Sequence, residues 1–253
     1  MNYDNNETAK IFNEGKSSKD KTETIIFSRK SFDNTISPFV YLENDIICVY
    51  EKEKSVDQEF FNKNEILITG EHNLENYLAA ISAVYQYVCP KTALKVAREF
   101  KGVAHRNEFV RCVSGINFYN DSIASSPTRA VATLNSFCGK VILIAGGKDK
   151  KISYEKIGKT IHEKVKALFL IGDTKNAIKK SYLDFMKENK IQKTIHICEC
   201  ETYEEVVEKA YMIASSGDNI VLSPASTSFD RFKNFEERGN LYKKLVKGLQ
   251  DKV

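Results

Sequence analysis

Three apolar runs in the chain each end in a cluster of small, hydroxylated and charged residues. Residues 116–119 open into Asn120-Asp121-Ser122-Ile123-Ala124-Ser125-Ser126-Pro127. Residues 141–145 open into Gly146-Gly147-Lys148-Asp149-Lys150-Lys151. Residues 220–222 open into Ser223-Pro224-Ala225-Ser226-Thr227-Ser228-Phe229-Asp230-Arg231-Phe232. Hydroxyls and backbone N–H groups at helix starts suit carboxylates and phosphates, and a lysine adds a point charge. Ligands of open parallel sheets sit beyond the carboxyl ends of the strands, so these clusters point to an anionic small molecule. Any one of them is equally well read as an ordinary turn: Ser125 or Ser126 ahead of Pro127 is a good N-cap with proline at the first helical position. It is the three together that favour a ligand.

Two further segments carry chemistry. Gly70-Glu71-His72-Asn73-Leu74-Glu75-Asn76 places a histidine and two asparagines at an expected strand-to-helix junction. One asparagine is expected to cap the helix, and the pair suits a nucleotide base or ribose. Arg106, in Gly102-Val103-Ala104-His105-Arg106, falls at an expected domain boundary, where an arginine can reach a ligand held between domains. Gly158-Lys159-Thr160 invites a phosphate-loop reading that fails. The motif needs a glycine where Ser153 stands, and the segment follows Tyr154-Glu155-Lys156, read here as helix rather than strand.

These groups need elements to hold them. Residues 24–27 and 66–68 are expected strands, and 39–42 with 46–50 an expected hairpin around Glu43-Asn44-Asp45. Leu74, Leu78, Ile81 and Val84 lie at helical spacing, and Pro90 starts a second helix. Near residues 100–103 the rhythm changes to alternating strand and helix. Strands are expected at 116–119, 141–145, 167–171, 194–197 and 220–222, and Thr202 with Glu205 forms a capping box for a helix over 204–214. That alternation predicts an α/β fold with a Rossmann-like parallel sheet over residues 101–253, preceded by a smaller unit of mixed strands and helices over 1–100.

Composition bounds the function. The 253 residues are 42% hydrophobic and 28% charged, as in a globular protein. The net charge of +4 is spread among interspersed lysines and glutamates, so no nucleic-acid partner is expected. No stretch is apolar enough for membrane insertion, the amino-terminal segment has no signal-peptide core, and a cytoplasmic protein is expected. The six cysteines read as buried thiols of a reducing compartment. Cys198-Glu199-Cys200 lacks a second pair at zinc-site spacing. No Gly-x-Gly-x-x-Gly follows any expected strand, which disfavours a nicotinamide oxidoreductase.

The stretches GEHNLENYLAA, GVAHRNEFV, FYNDSIASSPTRA, ILIAGGKDK and LSPASTSFDRFKNFEERG, in this order, resemble the later half of the D-glutamate-adding ligases of the Mur ligase family. MNYDN and IIFSRK resemble mid-domain segments of the same ligases more loosely. The resemblance implies an incomplete central ATPase domain over residues 1–100 and a carboxyl-terminal amino-acid-binding domain over 101–253. It implies ATP-dependent ligation of D-glutamate to UDP-N-acetylmuramoyl-L-alanine in peptidoglycan precursor synthesis, with Mg²⁺ as a further cofactor. By position, Asn73, Asn76, Arg106 and Asp121 correspond to nucleotide contacts. Ser125, Lys150, Ser228, Phe229 and Phe235 correspond to the D-glutamate pocket, while Phe232 is expected to pack in the core. Ile123 departs from the family lysine, so that cationic role falls to another group or is absent. The phosphate loop, the magnesium carboxylate and the uridine site would all lie upstream of Met1. The front half is therefore an expected partner, and no residue of this chain is assigned a catalytic or metal-binding role. Residues 1–100 are expected to expose unpaired strand edges and to be less stable than 101–253, or to pair with another chain. The alternative is a short non-catalytic module that binds an amino acid or docks a partner.

Overall fold

The computed structural model describes residues 1–15, 24–30, 38–51, 56–68 and 70–252. The chain divides into two compact units, Met1–Lys101 and Gly102–Val253. Among the described residues no helix is long and apolar enough to cross a membrane.

The first unit holds α1 (Asn6–Gly15), β1 (Ile26–Ser28), β2 (Phe39–Glu43), β3 (Ile46–Glu51), β4 (Val56–Asn62), α2 (Glu71–Val84) and α3 (Pro90–Glu99). The strands form one sheet in the order β1-β2-β3-β4, with β1 parallel to β2 and the other pairs antiparallel. The expected hairpin is β2–β3. Asn44 and Asp45 both take positive φ, as a two-residue turn matching the twist of its strands requires. Val40, Ile47, Val49 and Phe61 on one face pack against Leu78, Ile81 and Ala97 of α2 and α3. Ile26, Phe39, Tyr41 and Cys48 on the other meet Phe12 of α1. The strand expected at residues 66–68 does not form. Asn62 ends β4 by accepting the Asn64 N–H through its side chain, a local bond that turns the backbone into a single 3-10 turn, Lys63–Glu65. Neither α1 nor β4 was anticipated.

The second unit holds β5 (Glu108–Val113), β6 (Ile116–Asn120), α4 (Pro127–Asn135), β7 (Val141–Ala145), α5 (Ile157–Lys164), β8 (Val165–Leu170), α6 (Lys175–Glu188), β9 (His196–Glu199), α7 (Tyr203–Ile213), β10 (Asn219–Leu222) and α8 (Phe235–Gly248). The sheet order is β5-β6-β10-β7-β8-β9. The five expected strands are mutually parallel. The sheet is nevertheless mixed, because β5, absent from the sequence reading, pairs antiparallel with β6. Every residue of β7 is buried, with Ile142 and Ile144 on one face and Val141, Leu143 and Ala145 on the other. Helices α4, α5 and α6 cover the second face through Ala130, Leu134, Ile161, Ile178 and Tyr182, and α7 and α8 cover the first through Val206, Ala210, Tyr242 and Val246. Burying each large aliphatic or aromatic chain contributes roughly 1.5–3 kcal/mol, which explains why both faces of a near-continuous apolar strand are sheathed in helix.

Half of the capping box forms: Thr202 Oγ1 accepts the Glu205 N–H at 3.1 Å, while the Glu205 carboxylate accepts the Glu201 N–H, one residue upstream of the cap, at 2.8 Å. Tyr154-Glu155-Lys156 lies outside the helix, since α5 begins at Ile157. Gly158 is buried, its N–H donated to Ser181 Oγ at 3.0 Å, so Gly158-Lys159-Thr160 has no free amide there with which to cradle phosphate. The thiols are less uniformly buried than expected. Cys48 and Cys200 are buried, but Cys89, Cys112 and Cys138 are exposed and Cys198 is intermediate. Cys112 is exposed because β5 is a sheet edge.

Candidate functional site

Strand β10 is inserted between β6 and β7, so the loops that leave these three parallel strands emerge side by side. Such a reversal of strand order is where open α/β sheets form a crevice. The loop after β7 turns sharply at Gly146 (φ 116°) and Gly147 (φ 149°). A methyl group on Gly146 would overlap the Ile171 carbonyl oxygen, and one on Gly147 would overlap the Thr227 carbonyl oxygen. The approach is close because these loops are tied directly together. Gly146 N–H donates to the Pro224 carbonyl and Lys148 N–H to the Thr227 carbonyl, both at 2.8 Å.

The central tie is Arg238, a fully buried residue of α8. Its Nε donates to Ser122 Oγ at 2.9 Å and its Nη2 to the Ser122 carbonyl at 2.8 Å. Nη2 also reaches the Ser226 carbonyl at 3.1 Å, and Nη1 the Thr227 carbonyl at 3.0 Å. One guanidinium thus joins the β6 loop to the β10 loop. A second tie is a hydroxyl cluster, in which Ser226 Oγ meets Thr174 Oγ1 at 2.8 Å and Tyr154 Oη at 2.9 Å. Sequence reasoning missed Arg238, although a signal exists: Arg238, Tyr242 and Val246 are spaced i, i+4, i+8, which puts a cation on an apolar helix face.

Asp121 is buried at 2% exposure. Its Oδ2 accepts Thr133 Oγ1 at 2.6 Å and Ser223 Oγ at 2.8 Å, and its Oδ1 accepts the Asn107 N–H at 3.2 Å. A carboxylate has about four acceptor sites, so roughly one remains for an outside donor. Burial raises the Asp121 carboxyl above its usual range, against the opposing pull of these donors and of the nearby Arg106 charge. A carboxyl raised in the folded state contributes most below its unfolded value, and that contribution is lost as pH rises through the folded value. Asp121→Asn is therefore expected to gain stability relative to the parent between pH 4 and pH 7. Urea unfolding at the two pH values measures this; an advantage that shrinks with pH contradicts it.

The other expected residues divide between the units. Asn73 and Asn76 lie in the first unit, one turn apart on α2, with Asn76 Nδ2 donating to Asn73 Oδ1 at 3.5 Å. The cap of α2 is Gly70 rather than an asparagine. In the second unit, Arg106 is exposed, and the backbone of its neighbour His105 accepts the Ile123 N–H at 3.1 Å. Ser125 is half-buried just before Ser126, which occupies the N-cap position of α4 without a side-chain capping bond. Lys150 is exposed, whereas Lys148 is paired with Asp173 at 2.9 Å. Ser228 is buried and its carbonyl accepts the Arg231 and Phe232 N–H groups, a turn that sends Phe229 outward at 66% exposure. Phe235 starts α8; its carbonyl accepts Ser122 Oγ at 2.7 Å and its ring packs edge-on against His105. Phe232 packs against Tyr203, as expected. Arg106, Asp121, Ser125, Lys150, Ser228, Phe229 and Phe235 therefore all sit on the loops at one end of the sheet or on α8 beside them.

Residues 105–226 match the glutamate ligase domain of the Mur ligases. The chain is 48% identical over 250 residues to the UDP-N-acetylmuramoylalanine–D-glutamate ligase of Ruminiclostridium cellulolyticum, covering 99% of this chain and 52% of that protein. The chain therefore carries a glutamate ligase domain similar to that of the Mur ligases. The enzyme of the same name from Acetivibrio thermocellus is 46% identical over the same span and covered to the same extent. The chain thus spans about half the length of the curated relatives it matches. In fold it is similar to the UDP-N-acetylmuramate–alanine ligase of Thermotoga maritima, with a TM-score of 0.55 at 13% identity over 88% of this chain and 47% of that one. Among the described residues no group of three or more acidic, histidine or cysteine side chains is placed to bind a metal. The described residues therefore form no magnesium cage of their own.

Proposed function

We propose that the chain is the later half of a ligase that joins D-glutamate to UDP-N-acetylmuramoyl-L-alanine at the expense of ATP. Residues 101–253 form its amino-acid-binding domain and 1–100 part of its central domain. The observation that carries this reading is the convergence of the β6, β7 and β10 loops, in a chain 48% identical to a ligase of that name. The exposed Lys150 ammonium meets one D-glutamate carboxylate. The Ser228 hydroxyl and Phe229 N–H meet the other, Ser125 lies alongside, and Phe235 walls the pocket. On the nucleotide side, Arg106 adds positive charge, Asp121 offers its remaining acceptor to a ribose hydroxyl, and Asn73 and Asn76 offer amides. The reaction phosphorylates the substrate carboxylate. The D-glutamate amine attacks the acyl phosphate, and phosphate leaves as the amide forms. The family lysine is replaced by Ile123, but Arg129 Nη1 stands 3.5 Å from the Ile123 carbonyl and brings a cation to the same loop.

The chain contains no phosphate loop, so no ligation is expected of it alone. Binding is the direct test. Calorimetric titration of the 253-residue chain is expected to detect D-glutamate. Lys150→Ala is expected to weaken it about 10- to 100-fold, the worth of one hydrogen bond to a charged group. Equal affinity in parent and variant would remove Lys150 from the pocket, and no binding to the parent would remove the pocket from this chain. Adding a polypeptide that carries a phosphate loop is expected to restore phosphate release from ATP. Release that ignores D-glutamate would contradict the reaction proposed.

A further inference from the structure

The Cys198-Glu199-Cys200 segment lies outside the loops just described. Cys198 is on edge strand β9 and Cys200 directly follows it. Residues two apart on a strand point the same way, and here the two Sγ atoms are 3.7 Å apart. Cys200 is 1% exposed and its N–H is held by the Leu170 carbonyl at 2.9 Å. Cys198 is only half-buried. Lys209, one side of which is held by Glu205 at 2.7 Å, places its charge near both sulfurs. No third ligating side chain joins them among the described residues, so the pair is not a metal centre.

We propose that Cys198 and Cys200 form a redox-active dithiol, a modification site at which a peroxide converts the two thiols into an intrachain disulfide. The Cys198 thiolate attacks one peroxide oxygen. The O–O bond breaks, leaving a sulfenic acid on Cys198 and releasing hydroxide. The Cys200 sulfur then displaces the sulfenic oxygen, its proton leaving with that oxygen as water, and the S–S bond forms. Peroxide is reduced by two electrons and the two thiols are oxidised by two. Burial and the neighbouring sulfur push the Cys200 thiol up to about 12, which suits the resolving rather than the attacking role.

Geometry sets the character of the bond. The sulfurs must close from 3.7 Å to about 2.0 Å. Two strand residues place their Cα atoms about 6.6 Å apart, near the long end of the range a disulfide spans. Such a bond is strained and easily reduced, the property of a reversible site rather than a structural staple.

The test uses the whole reduced chain, treated with hydrogen peroxide, alkylated after denaturation and digested with trypsin. Both cysteines fall in one peptide, 194–209. The expected product is that peptide unalkylated and lighter by two hydrogens, restored by dithiothreitol. Cys200→Ser is expected to leave a dimedone-reactive sulfenic acid on Cys198. A peptide carrying two alkyl groups after peroxide, while Cys89, Cys112 or Cys138 is oxidised, overturns the proposal. So does a disulfide linking either residue to a distant cysteine.

Discussion

Arg238→Met is expected to lower the stability of residues 102–253 by about 3 kcal/mol or more, read as a fall in the urea midpoint of the chain. The estimate rests on what the substitution leaves behind. The buried Ser122 and Ser226 carbonyls and Ser122 Oγ lose their donor together, while the Thr227 carbonyl keeps only the Lys148 N–H. An unsatisfied buried acceptor costs about 1–3 kcal/mol, and the relief of no longer burying a guanidinium offsets part of the sum. Methionine fills the volume but donates nothing. Arg238→Lys keeps the charge, yet a single ammonium cannot match a planar fork bonded on both sides, so only partial recovery is expected. A loss under about 0.5 kcal/mol for the methionine variant would mean that the two loops are held by something other than this clamp.

Gly146→Ala is expected to be of comparable severity, about 3 kcal/mol or more, or to prevent accumulation of folded chain. Alanine is strained at φ 116°, and its methyl would overlap the Ile171 carbonyl oxygen at the end of the neighbouring β8. That oxygen is backbone, and the Ile171 N–H is itself fixed to the Ala145 carbonyl at 3.0 Å, so neither side yields cheaply. A control lies close in sequence. A methyl on Gly139 meets nothing within 4 Å, and Gly139→Ala is expected to change stability by no more than about 0.5 kcal/mol. Equal thermal midpoints for the two variants would refute the steric argument.

What could be read before the fold was known follows from how local each signal is. The β7 run, the Asn44-Asp45 turn and the Thr202 cap are written within a few residues, and each formed as expected. The loops after β6, β7 and β10 were legible because hydroxyl, glycine and lysine clusters stand where apolar runs end. Strand β5 was not, because in Glu108-Phe109-Val110-Arg111-Cys112-Val113 the exposed positions are Phe109 and Cys112 while Glu108 and Arg111 are half-buried, so no apolar-polar alternation marks it, and its pairing with β6 is decided by the Ser114-Gly115 turn. The arginine clamp was hidden for a different reason. Its four acceptors are on residues 122, 226 and 227, and no window of sequence contains both them and Arg238. Residues 66–68 are apolar enough for a strand, but one asparagine side chain upstream redirected the backbone.

The place of β10 bears on how the molecule is made. A ribosome releases β6, β7, β8 and β9 in turn, yet β6 and β7 share no ladder: each pairs with β10, which is synthesised after all of them. Until residue 222 has cleared the exit tunnel, the nascent second unit consists of a β5–β6 hairpin and a separate β7–β8–β9 sheet with an empty slot between them. Both slot edges are apolar and unpaired at that stage, so the growing chain passes through a period when it is open to chaperones and to self-association. The strand that ends in the Ser223–Ser228 hydroxyls is also the one that closes the sheet. The cluster of loops at that end is therefore assembled last, in the same event that completes the unit.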